Sequence, residues 1–214
     1  MSKSLDTDTN NSAALEWAAG ARIPLYRRTG FIGLEDFEDA GNYKPGGYHP
    51  VDIGDTITNV TNEDNYTMIH KLGFSGYSTV WLARRQRKHP LAGHTLPVSF
   101  RALKILRADL GDHTDHELRI LRHLGQVETS SHPNIVVLED SFTITGPNGQ
   151  HLCLVFPVLG PTLPSYKSMY DLTPSQRHSA CQQLASAVAF IHRHDICHGG
   201  KVSFPLIHCQ RDIG

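Results

Sequence analysis

No stretch of this 214-residue chain approaches the roughly 20 consecutive apolar residues that a bilayer-spanning helix needs. Met1 to Asn11 is polar and lacks the basic and apolar regions of a secretory leader. The chain is therefore expected to be soluble, unsecreted and without a membrane partner. Cysteine is scarce: Cys153, Cys181, Cys197 and Cys209 follow no regular spacing and form no C-x-x-C, which argues against a disulfide framework. Reduced thiols in the cytoplasm, the nucleus or both are expected. A dominant sign of charge is also missing, since 20 Lys+Arg face 21 Asp+Glu, so bulk electrostatics offer nothing to a nucleic acid and no direct nucleic-acid contact is expected. No internal repeat is visible. The 39% of hydrophobic residues is enough for a core.

Histidine is abundant, with 14 residues, and His192, His194, Cys197, His198, His208 and Cys209 crowd toward the C-terminus. A zinc site needs four convergent ligands, and these fall on a helix end and an unpatterned tail. They are read as surface and helix-terminal side chains, and no metal site is expected.

Residues 1–40 are mixed and polar, with a short apolar patch at Ala13 to Ala21, and are expected to be a poorly ordered extension. "NYKPGGYHPVDIGDTI" (Asn42 to Ile57) carries Pro45, Gly46, Gly47 and Pro50 and reads as an irregular arm docked by Tyr48 and Val51. From Tyr66 the runs "YTMIHKLG", "STVWLARR", "PVSFRALKIL" and "HLCLVFPVL" are strand-like, rich in β-branched and aromatic residues. Between the last two, "TDHELRILRHLG" places Leu118, Leu121 and Leu124 at helical spacing with Gly125 as a C-terminal cap. This order predicts an α+β lobe with an antiparallel sheet. A second helix is predicted in "LTPSQRHSACQQLASAVAFIHRH", with Thr173 as N-cap, Pro174 at the first helical position, and a stripe of Ala180, Leu184, Ala187, Val188 and Ile191.

"KLGFSGYSTVWLA" (Lys71 to Ala83) reads as a hairpin with a glycine-containing turn. Such a tip is either an ordinary turn or a place where backbone N–H groups face phosphate oxygens. Lys104 in "RALKIL" sits on an apolar strand, where a charge is costly unless paired, and Glu117 on the next helix is the candidate partner. A lysine so held presents its ammonium to nucleotide phosphates. Otherwise the lysine snorkels to water beside a solvated glutamate. The glycine turn upstream and the apolar strand downstream favour the first reading.

These motifs, in this order, resemble the protein-kinase family. Gly73, Ser75, Ser78 and Val80 fall on the Gly-rich loop, Ala102-Leu103-Lys104 on the strand lysine motif, and Glu117 on its partner. "HPNIVVLEDSF" (His132 to Phe142) and "NGQHLCLVFPVLG" (Asn148 to Gly160) resemble the following strands and hinge. More narrowly, "GGYHPVDIGD", "STVWLA" and "HLCLVFPVLG" resemble the SR-protein-specific (SRPK-like) serine/threonine kinases, particularly fungal ones, over about Tyr43 to Gly199. The resemblance implies a kinase-like α+β fold: an extension (1–40), an arm (41–65), an N-lobe with hinge (66–160), the start of a helical C-lobe (161–199) and a tail foreign to the family (200–214). It implies ATP, Mg2+ in the full-length family, and Arg/Ser-rich protein substrates. Phe156 becomes the gatekeeper, the Pro157 carbonyl and Leu159 N–H meet adenine, and Leu72, Val80 and Ala102 close on the base. Pro157 replaces a glutamate, sparing the carbonyl but losing the N–H. Ser75 and Ser78 replace glycines, and a serine less free to reach positive φ is expected to weaken the phosphate grip.

In that family an aspartate follows "ICHG", accepting the substrate proton, with a Mg-binding asparagine and an Asp-Phe-Gly motif beyond it. Here Gly200 holds the aspartate position, and "KVSFPLIHCQRDIG" supplies none of these ligands. This chain is therefore expected to be inactive in transfer; the alternative is a non-catalytic fragment binding nucleotide or a partner, against whose stability in isolation an uncovered stripe of Leu184, Val188 and Ile191 would argue, since it favours association or aggregation. Gly200-Lys201 can be encoded by GGTAAG, which contains a splice-donor-like GTAAG. As a hypothesis, residues 200–214 are intron read-through ended by a chance stop codon. Sequencing the transcript across the His198 to Lys201 codons is expected to find splicing into an aspartate-containing loop; a message with only the present frame overturns it.

Overall fold

The computed structural model describes residues 38–87, 97–126, 134–159 and 173–197, the side chains of 112–115 excepted. By contacts the chain divides into Met1–Asn42 and Tyr43–Gly214. The described end of the first unit is a 3-10 turn, Ala40–Asn42. Expectations for 1–37, 160–172 and 198–214, Gly200 included, lie outside the described residues.

The second unit is built on a six-stranded antiparallel sheet: β1 (Thr56–Asn59), β2 (Asp64–Ser75), β3 (Ser78–Gln86), β4 (Ser99–Leu106), β5 (Asp140–Gly146) and β6 (Gly149–Pro157), in the order β1-β2-β3-β4-β6-β5. Among the described residues two helices follow the same logic of apolar spacing: α1 (Asp112–Gln126) and α2 (Pro174–Arg193). The expected strands and helices form, with three corrections. Thr56–Asn59, at the end of the supposedly irregular arm, is a strand, because its alternate residues Ile57 and Asn59 are buried. Two residues with buried side chains are too short a signal to stand out in sequence. α1 begins at Asp112 and runs through Gly125 to Gln126, so Gly125 is a helical residue rather than a cap. The α2 stripe is covered at its end: Ile191 and Ala187 are 0% exposed and Val188 is packed, leaving only Leu184 of the three flagged residues well exposed.

Side-chain alternation gives the sheet two apolar faces. Tyr66, Met68, Trp81, Ala83, Leu103, Ile105, Cys153 and Val155 gather with Ile57 and Phe142 on one. Val80, Ala102, Leu106, Leu154 and Phe156 gather on the other, against Leu121 of α1 and Val136. A third cluster joins the end of α1 to α2: Leu124 and Ile135 meet Ala187, Phe190, Ile191 and Ile196. Burying side chains of this size is worth about 1.5–3 kcal/mol each, so α1 is held from both directions. α2 starts where Thr173 accepts from the Gln176 N–H and the Gln176 side chain accepts from the Thr173 N–H, a reciprocal cap with Pro174 just inside.

One end of the sheet closes on a buried ion pair. Arg85, 2% exposed, donates from Nε to Asp64 Oδ2 at 2.7 Å, and its Nη1 reaches Glu139 at 3.4 Å; Glu139 also binds Arg101. The guanidinium thereby links β2, β3, β4 and the approach to β5. Breaking such a pair from one side costs more than replacing both partners. Asp64→Ala is expected to lower stability by about 3–5 kcal/mol, with Asp64→Leu/Arg85→Met recovering much of it, read from urea midpoints; equal losses in both would overturn the assignment.

Candidate functional site

Lys104 occupies the middle of β4, opposite Val80 on β3 and Leu154 on β6, and is 4% exposed. An ammonium placed among such neighbours must find a carboxylate. Glu117 provides it: Lys104 Nζ donates to Glu117 Oε1 at 2.5 Å. Helical spacing explains why Glu117 is available, since residues 117, 121 and 124 share one face of α1 and Leu121 and Leu124 are anchored in the core. The pair expected from sequence is therefore formed.

Around it the structure brings together Val80, Ala102 and Phe156 in one buried cluster, with Leu159 packed against its edge. Phe156 is 1% exposed and pairs in register with Ala102. Pro157 ends β6 opposite Arg101, a position where a missing N–H ends the ladder rather than interrupting it. Leu72 stands apart from this cluster. The β2–β3 register slips between Met68 and His70 and again between Lys71 and Gly73, and the extra residues Ile69 and Leu72 are 37% and 47% exposed. Such bulges bend the strand toward its hairpin.

The hairpin stays paired as far as its serines. β2 and β3 stay paired up to Ser75 opposite Ser78, leaving Gly76 and Tyr77 as a two-residue turn. Neither serine has positive φ; the described non-glycine residues that do are Glu63 and Asp195. Both residues keep strand geometry, so the turn here asks neither serine for a positive φ. Their hydroxyls lie 3.1 Å apart across the hairpin mouth, and Tyr77 N–H donates to Ser75 Oγ at 3.3 Å. A Cβ added at Gly73 or Gly76 would meet no atom within 4 Å. Space for a ligand against the backbone exists at both.

Sequence reading missed how the hairpin is supported. Tyr48, 2% exposed in the arm, donates its hydroxyl to the Ser75 carbonyl at 2.7 Å. Arg107, just past β4, donates its backbone N–H to Tyr77 O at 3.0 Å and its Nη1 to Gly76 O at 3.3 Å, with its guanidinium 5.7 Å from the Tyr48 ring. Asp109 grips the same guanidinium at 3.0 and 2.7 Å. That side-chain hydrogen bond holds the Asp109 carboxyl below its ordinary range. The arm is fixed in turn by Gly46 N–H to Asn148 O at 2.8 Å, Asn148 Nδ2 to Tyr48 O at 2.6 Å, and Asp109 N–H to Gly46 O at 2.8 Å. His49 lies 4.9 Å from the His151 ring, and burial, then His151, pushes its pKa down to about 4. Burial likewise lowers the His151 pKa, so both rings favour the neutral form. An arginine directly after an apolar strand was the one available sequence signal for Arg107.

These residues fit a nucleotide: an apolar cluster for a base, a paired lysine for phosphates, and open backbone at the hairpin. For a divalent ion, no group of three His, Cys, Asp or Glu side chains converges among the described residues. No described helix is long and apolar enough to cross a membrane.

No protein-family model matches the chain. Among curated proteins it is 36% identical over 168 residues to serine/threonine-protein kinase spk-1 of Caenorhabditis briggsae, covering 74% of this chain and 13% of that protein. It is 37% identical over 134 residues to serine/threonine-protein kinase SRPK of Physarum polycephalum, covering 61% and 28%. With SRSF protein kinase 3 of Homo sapiens it shares 35% over 173 residues, covering 76% and 28%. The chain spans less than a third of the length of each of these relatives.

Removing either side of the Lys104–Glu117 pair should have unequal effects. Glu117→Ala strips the buried ammonium of its carboxylate and is expected to cost about 1–3 kcal/mol. Lys104→Met fills the same space without charge and leaves behind a Glu117 side chain that is 34% exposed and can be hydrated, so it is expected to cost less than about 1 kcal/mol or to stabilise. Thermal unfolding decides it, and a larger loss for Lys104→Met would refute the burial argument.

Proposed function

We propose that this chain, which belongs to the SRPK-like serine/threonine kinases, binds ATP on the α1-facing side of its sheet. The observation that carries this reading is the Lys104–Glu117 pair set beside the cluster of Val80, Ala102 and Phe156. ATP would supply a γ-phosphoryl group for transfer to serine or threonine. The chain's own part is to hold the nucleotide. Val80, Ala102, Leu72 and Leu159 offer apolar surface to the base, Phe156 limits the depth of the pocket, and the Pro157 carbonyl and Leu159 N–H provide edge contacts. Lys104, steered by Glu117, offers positive charge to the phosphates. Gly73, Ser75 and Ser78 shape the hairpin above them.

The names of the relatives support Arg/Ser-rich proteins as the substrates of the whole kinase, and kinase chemistry adds Mg2+ as the accompanying ion; the cytoplasm or nucleus is the proposed setting. In this chain Gly200 stands where the resemblance puts the proton acceptor. A glycine has no side chain to orient a hydroxyl or take its proton, so the chain is assigned nucleotide binding without phosphoryl transfer. That second element, a non-catalytic binder, is favoured over an active enzyme by this residue alone.

Titration of the purified 214-residue chain with a fluorescent ATP analogue is expected to saturate, and Lys104→Met to weaken binding by about tenfold, the factor that one lost charge-assisted contact of about 1.4 kcal/mol represents. No saturable binding would remove the reading. Incubation with labelled ATP, Mg2+ and an Arg/Ser-repeat peptide is expected to give no transfer. Transfer that Lys104→Met abolishes would show the chain to be an active kinase despite Gly200.

A further inference from the structure

We propose that the segment Tyr43–Val51 is a strut that sets the position of the β2–β3 hairpin, with Tyr48 and Arg107 as its positioning residues. In its consequence for nucleotide affinity, the inference rests on the ATP reading above. A two-residue turn at the end of two long strands has little of its own to hold it, and here a Cβ at Gly73 or Gly76 would touch nothing. Yet three hydrogen bonds from outside the hairpin end on three consecutive carbonyls: Tyr48 Oη on Ser75 O, Arg107 Nη1 on Gly76 O and Arg107 N on Tyr77 O. Carbonyls satisfied from behind fix the orientation of the peptide planes, and with them the direction of the N–H groups on the opposite side of each plane.

The strut is gripped along its length. At its start Tyr43 accepts from Lys71 Nζ at 3.2 Å, and that ammonium lies 5.2 Å from the Trp81 ring, so the base of the hairpin is bound as well as the tip. Tyr43 and Tyr48 meet edge to face at 5.4 Å. Behind Tyr48 the arm is tied to the β5–β6 turn through Asn148, and His49 packs on Gly146 so closely that a Cβ there would come within 2.3 Å of its Nδ1. The arm therefore bridges a rigid part of the sheet to its least supported part. A segment that only covered core would bury apolar area without ending a hydrogen bond on the Ser75 carbonyl, next to the two tip carbonyls that Arg107 satisfies.

The test separates position from stability by removing one oxygen. Tyr48→Phe keeps the ring and loses the bond to Ser75 O. Tyr66→Phe is the matched control, since Tyr66 Oη is buried without a hydrogen-bond partner and its ring is stacked on Phe142 of β5 rather than on the hairpin tip. Amide exchange followed by mass spectrometry is expected to quicken roughly 3- to 10-fold in the peptide covering residues 73–79 of Tyr48→Phe, the range that losing one such bond produces. Exchange elsewhere in the sheet should not change, and Tyr66→Phe should leave 73–79 as in wild type. Arg107→Lys, which loses the fork on Asp109 and Gly76 O, is expected to act like Tyr48→Phe. Binding of the fluorescent ATP analogue should weaken by a similar factor in Tyr48→Phe and not in Tyr66→Phe. Unchanged exchange in 73–79, or acceleration spread evenly over the sheet, overturns the strut. Wild-type binding that Tyr48→Phe leaves intact overturns its role toward nucleotide. If wild type itself binds no nucleotide, the ATP reading fails while the exchange result still decides the strut.

Discussion

A lysine ammonium buried in the centre of an apolar sheet is the constraint around which this lobe is organised. Lys104 is flanked by Val80 and Leu154 and almost wholly removed from water, so the fold is stable only if a carboxylate is delivered to that spot. Delivery fixes the rotation of α1 about its axis: Glu117 faces the strand only when Leu121 and Leu124 face the core. Apolar packing and charge pairing then ask for the same helix orientation. That agreement between levels is what lets one sequence specify one arrangement. It also leaves a cation on the face where the apolar cluster ends, a combination of little value to packing alone and of direct value to a nucleotide.

The sheet can carry such a charge because its two faces are kept distinct. Trp81, Leu103, Ile105, Cys153 and Val155 belong to one core, whereas Val80, Ala102, Leu154 and Phe156 belong to the other. A slip of one residue in any strand would exchange the two sets. The Arg85 network guards against that slip at one end, since its hydrogen bonds to Asp64 and Glu139 are met only in the observed register. Burial also pushes the Cys153 thiol well above its ordinary pKa, so it remains a protonated apolar residue.

Much of the site was legible in the sequence because it depends on local spacing. The hairpin, the Lys104 strand, the Glu117 helix and the Thr173 cap each carry their signal within a few residues. β1 was not legible, since it is four residues long and acquires strand geometry only by pairing with β2. The backbone geometry of Ser75 and Ser78 was not legible for a related reason: whether a loop residue needs positive φ depends on how far the flanking strands stay paired, and here they pair to the last residue before the turn. Leu72, the extra residue at a β2 bulge, is half exposed and outside the packed cluster, which leaves its apolar side chain open to a ligand.

The sequence by itself determined the kinds of element, their order, the apolar identity of each face and the residues that form the buried ion pair. These follow from periodicity and from the cost of an unpaired charge, both properties of short stretches. Only the tertiary structure decided that the arm from Tyr43 meets the hairpin at Ser75, that Arg107 caps the tip carbonyls, and that α2 covers its stripe with Leu124 and Ile135. Those contacts join residues distant in the chain. No local preference encodes them, and they exist because the sheet must satisfy its backbone groups and bury its edges at once.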